Sequence, residues 1–103
     1  MREYNIGGVK AEYKLIPNDS HKSFYGKARV MDFTSGAKVL YSYNTPVIVE
    51  LPDGKMFDLW GGWSATTGRH IRAFCGLGKK QVLELPLAVK FKLGSDEYIR
   101  ERE

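Results

Sequence analysis

Hydrophobic and polar positions alternate with period two over residues 9–16, where Val9, Ala11, Tyr13 and Leu15 fall on one side and Lys10, Glu12 and Lys14 on the other. That alternation predicts a half-buried β-strand. The same period returns over 23–33, with Phe24, Gly26, Ala28 and Val30 on one face, and over 37–44, with Val39, Tyr41 and Tyr43 aligned. Residues 47–52 and 55–60 read as two further strands. Between them, 17–22 is a turn-rich loop and Thr34-Ser35-Gly36 a hairpin turn. Pro46 marks a bend or a strand start, because proline has no N–H for a ladder. Asp53-Gly54 is the strongest hairpin signal, since a type I′ turn needs positive φ.

Beyond Gly61-Gly62 the period changes. Thr67, Ile71, Phe74 and Cys75 stand at helical spacing after Ser64, a natural N-cap, and predict a helix over 64–75 with Arg69 and Arg72 outward. Gly68 weakens its first turns by about 1 kcal/mol relative to alanine. Gly76-Leu77-Gly78 closes that helix, residues 79–85 predict a second one ended by Pro86, and 87–93 alternate again as a last strand. The expected fold is α+β: an antiparallel meander of four to five strands with two helices, about 64–75 and 79–85, on one face. Residues 1–8 read as a flexible lead-in, 9–93 as a single domain and 94–103 as a polar tail.

Composition narrows the function. A chain of 103 residues, 43% hydrophobic, supports one core. No apolar run approaches the roughly 18 residues of a membrane span, and the start lacks the apolar core of a secretory signal, so no membrane contact is expected. The single cysteine, Cys75, excludes an internal disulfide and a cysteine-based zinc cluster and points to a reducing, cytoplasmic setting. Lys and Arg outnumber Asp and Glu by 16 to 12, and the surplus is local: residues 61–92 hold Arg69, Arg72, Lys79, Lys80, Lys90 and Lys92 against Glu84 alone. Clustered positive charge favours phosphate contact; a solvated basic face answers the same pattern.

Catalytic chemistry is sparse. His21 and His70 are the only histidines, no carboxylate stands at helical spacing beside His70, and Cys75 lies about 140° from it around a helix. The pattern gives no metal ligand set, no cofactor and no nucleophile–base pair, so no enzyme is expected. A packed His70 and a buried Cys75 are the expected roles. Gly76-Leu77-Gly78-Lys79-Lys80 fails the phosphate-loop spacing and reads as a turn. Ser64, Thr66, Thr67, Arg69 and His70 gather donors at one helix start, which suits an anion and equally suits a helix cap. Of the aromatics, Tyr41, Phe57 and at least one tryptophan belong to the core, while Tyr43 and Trp63 stand beside bends and are candidates for an exposed role. The candidate binding residues are Tyr43, Trp63, Arg69, His70, Arg72, Lys79 and Lys80.

The blocks Tyr41-Ser42-Tyr43-Asn44-Thr45-Pro46 and Leu59-Trp60-Gly61-Gly62-Trp63-Ser64-Ala65-Thr66-Thr67, followed by Arg69-His70-Ile71 and Phe74, resemble a pattern of small uncharacterised proteins from phages, plasmids and integrative elements of Firmicutes-type bacteria. The resemblance implies a mobile-element accessory protein and carries no activity of its own. With catalytic groups missing and the cations clustered, the expected function is binding of nucleic acid or of a host nucleoprotein, extending to inhibition of a CRISPR-type defence complex. The alternative is a protein–protein adaptor or a homodimer that contacts no nucleic acid and uses an exposed Tyr43/Trp63 patch.

Overall fold

The computed structural model describes residues 2–16, 24 and 26–102. Its elements run β1 (Glu3–Gly7), β2 (Val9–Lys14), β3 (Ala28–Phe33), β4 (Lys38–Ser42), β5 (Thr45–Glu50), β6 (Met56–Asp58), α1 (Ala65–Cys75), α2 (Lys79–Leu83), β7 (Ala88–Leu93) and β8 (Asp96–Glu101). The expected antiparallel meander is present as a five-stranded sheet in the order β2-β3-β4-β5-β6. Both helices lie on one side of it, as the spacing predicts. Ser64 Oγ accepts the Thr67 N–H at 3.1 Å to start α1, and Gly76, at φ 80°, ends it by donating its N–H to the Arg72 carbonyl at 2.8 Å. Helix α2 stops at Leu83, two residues short of the expected end. No helix among the described residues is long and apolar enough to cross a membrane.

The central sheet is covered on both faces. Val30, Leu40, Val47 and Ile48 meet Ile71 of α1 and Val82 of α2. On the opposite face Phe33, Val39, Val49 and Phe57 meet Ile6, Ala88 and Ile99 from a second, three-stranded sheet, ordered β1-β8-β7. The molecule therefore has three layers: helices, five strands, three strands. The sheets join at both margins, through the bend at Gly7-Gly8 between β1 and β2, and through a single bridge between Asp58 and Leu87.

Four expectations need correction. The lead-in and the tail are strands β1 and β8, which pair with each other from Glu3–Arg100 to Gly7–Glu97. They escaped notice because each has only one fully buried apolar residue, Ile6 and Ile99. Strand β2 forms where alternation predicts it, yet all six of its residues are exposed, because it lies at the sheet margin with none of the described elements packed over it. A bulge between Val9 and Ala11 also puts Val9 opposite Phe33 and Tyr13 opposite Val30, on different faces.

Strand β7 forms at Ala88–Leu93, where the alternation over 87–93 predicts it, but it is sided against hydropathy. Its lysine-bearing side, Ala88 and Lys90, faces inward, and its apolar side leaves Val89 and Leu93 exposed. Finally, Asp53-Gly54 does not make a type I′ turn. Pro52 fixes a negative φ, only Gly54 is left-handed (φ 93°), and Leu51 and Lys55 close a three-residue loop with bulge geometry. The type I′ pattern falls at Tyr43 (φ 53°) and Asn44 (φ 72°), the two residues joining β4 to β5. The 17–22 loop lies outside the described residues.

Candidate functional site

The cations of residues 61–92 are divided between layers. Arg69 and Arg72 lie away from the buried side of α1, which is formed by Thr67, Gly68, His70 and Ile71. Lys79 and Lys80 are exposed on α2. Lys90 and Lys92 belong to the three-stranded sheet on the other side of the molecule. Lys90 points between the sheets, ion-paired with Glu97 and 5.8 Å from the Tyr41 ring centre. Burial alone would lower its pKa, but hydrogen bonds to Glu97 and Tyr41 outweigh that and hold it above the ordinary lysine value. Of this segment's cations the helical layer therefore keeps Arg69, Arg72, Lys79 and Lys80, with Glu84 beside them and the charge of Glu50 reaching Cys75 from β5.

His70 is not on that face. Only 1% of it is exposed, and its Nδ1 lies 2.8 Å from Ser42 Oγ, which lies 2.9 Å from Thr67 Oγ1. Phe24 packs edge-on against the imidazole with ring centres 4.5 Å apart. Burial, and then the charge of Arg69, push the His70 pKa below its ordinary value, so the ring is neutral in the fold near pH 7. Of the donors expected to hold an anion at the start of α1, Thr67 and His70 hydrogen-bond Ser42 and Ser64 Oγ accepts the Thr67 amide, whereas the Arg69 Nε–H is buried with no partner among the described residues. Burial raises the pKa of the Cys75 thiol, whose S–H donates to the Ile71 carbonyl at 3.4 Å. Among the described residues, no group of His, Cys, Asp and Glu could hold a metal ion.

The two aromatic candidates separate. Trp63 is half-buried, its indole lying over the backbone of Gly68. Tyr43 is 52% exposed at the tip of the β4–β5 hairpin. Its ring lies between α1 and a lysine: 5.7 Å from the His70 ring centre and 6.0 Å from Lys27 Nζ. A tyrosine in the left-handed region is unusual, since Gly and Asn fit there far better. Backbone strain of this kind costs about 1–3 kcal/mol and is concentrated at binding and catalytic sites.

Sequence reasoning missed two further features. Asp58 is buried, and its Oδ1 accepts the N–H groups of Trp60 and Gly61, each at 3.0 Å, fixing the exit from β6 into the Trp60–Trp63 block. An Asp two residues before Trp-Gly-Gly is the local signal for that turn. The other is the open margin at β2, with Val9 and Tyr13 51% and 44% exposed. Its signal was weaker, because alternation states that one side is apolar and not whether anything covers it.

Residues 13–85 match the model of a family of unknown function, DUF8033, and the chain belongs to that family. No curated protein and no solved structure matches the chain.

Proposed function

We propose that this member of DUF8033 binds single-stranded nucleic acid through the outer side of its helical layer and the adjoining β4–β5 tip. Arg69, Arg72, Lys79 and Lys80 meet phosphates, and Tyr43 stacks on a base. The observation that carries this reading is Tyr43, an exposed ring held at φ 53° between α1 and Lys27. An exposed aromatic beside cations is the arrangement that holds unpaired bases without regard to sequence.

Titration of a fluorescent single-stranded oligonucleotide at several salt concentrations tests it. Affinity falls linearly with salt on a log–log plot, and each phosphate contact removed by Arg72→Gln or Lys80→Gln flattens the slope by about 0.7. Tyr43→Asn weakens binding by roughly tenfold or more and leaves the slope alone. Asparagine suits the left-handed turn, and relief of strain offsets the lost ring contacts, so the variant folds. No binding at low salt overturns the proposal. The mobile-element setting implied by the sequence pattern extends it to shielding nucleic acid from a host defence complex. That extension is abandoned if the Tyr43→Asn protein protects a plasmid from interference as well as the native one does.

A further inference from the structure

We infer that β2 is a self-association edge, on which a second copy of this chain docks antiparallel to make one continuous ten-stranded sheet. The inference rests on the sheet margin and is independent of nucleic-acid binding. Among the described residues β2 pairs on one side only, with β3. The Leu15 N–H donates to the Ala28 carbonyl, and the alternation of an antiparallel ladder turns the backbone groups of Tyr13 and Ala11 the same way. The N–H and C=O groups of Glu12 and Lys14 therefore point outward, at the edge, where no strand among the described residues takes them and they can template another.

Charge selects the partner and the register. Centring the two copies on Glu12 sets that carboxylate against its own image and Lys10 against Lys14. Centring them on Lys14 sets two ammonium groups together. Centring them on Ala11 runs the pair through the bulge, where Val9 and Tyr13 occupy different faces. The register centred on Tyr13 places Glu12 opposite Lys14 of the copy, twice by symmetry, in the position where outward backbone groups exchange hydrogen bonds. The two Tyr13 rings then meet on the dyad, at a non-hydrogen-bonded pair where side chains approach most closely. Arg29 already holds the Glu12 carboxylate in place by an ion pair. An antiparallel edge pairing has its dyad perpendicular to the sheet, so both helical layers stand on the same side of the assembly.

Sedimentation equilibrium of the full chain tests this with three variants. The native protein forms a dimer. Lys14→Glu and Glu12→Lys each place like charges opposite one another and weaken dimerisation by on the order of tenfold. An equimolar mixture of the two recovers a dimer, because each then offers the other a complementary pair. Lys14→Pro removes an outward N–H from an edge strand without touching the β2–β3 ladder, and gives a monomer. Circular dichroism verifies that each variant is folded. A native protein that stays monomeric at every concentration overturns the inference. So does a native dimer whose stability none of these variants changes, because its contact then lies elsewhere.

Discussion

Gly68 sits in a helix, where alanine is ordinarily better by about 1 kcal/mol. A Cβ at this position would lie 2.4 Å from the Trp63 indole, far inside contact distance. Gly68→Ala is therefore expected to destabilise the fold by about 1–3 kcal/mol in chemical denaturation, and to shift Trp fluorescence as the indole is displaced. Pairing it with Trp63→Leu removes the clash and returns part of the helix gain. From sequence, Gly68 is only a weak spot and Trp63 only a candidate contact; that the two fit each other depends on the chain's path at Trp60–Ser64, set by the buried Asp58. His70 supplies a pH prediction. Its pKa is depressed in the fold, so below the unfolded value near 6.5 the unfolded chain binds the proton more readily. Stability is full above that value and falls on acidification through the window beneath it. Thermal unfolding scanned against pH measures the decline, and His70→Gln, which keeps a polar partner for Ser42, flattens it.

At the scale of elements, pattern reading succeeds for β3 to β6 and for α1, where period and caps agree. In the three-stranded sheet it finds β7 but misses the other two strands. Strands β1 and β8 present one buried aliphatic side chain each, too few for period two to register. Strand β7 alternates clearly but in the opposite sense to its burial, because Lys90 is drawn inward by Glu97 and the Tyr41 ring while Val89 and Leu93 are left outside. A partner 7 residues away on the neighbouring strand inverts what hydropathy alone would choose. With only 13% and 11% of the two side chains exposed, removing one partner leaves the other charge stranded. Lys90→Met is expected to cost about 3 kcal/mol in urea unfolding, and a double variant that also replaces Glu97 with leucine to recover much of it.

For the whole molecule, the consequence of covering both faces of the central sheet is that neighbours in sequence serve different cores. Val39 and Leu40 are both wholly buried, one under the small sheet and the other under the helices. The layering also splits a basic segment that is contiguous in sequence, which counting charges along the chain does not reveal. Four of the candidate site residues, Arg69, Arg72, Lys79 and Lys80, remain on the helical layer; His70 does not reach its surface. The pairing of β1 with β8 has a further effect, because their residues lie as many as 97 positions apart. Strand β1 leaves the ribosome well before β8, its one ladder partner among the described elements, has been made. Ile6 can join Phe33, Val39 and Val49 of its core before that, but Ile99 completes the cluster only with β8. A stop codon placed just ahead of β8 would therefore cost more than the six residues of that strand, since it would also strip β1 of the ladder that ties it into the small sheet.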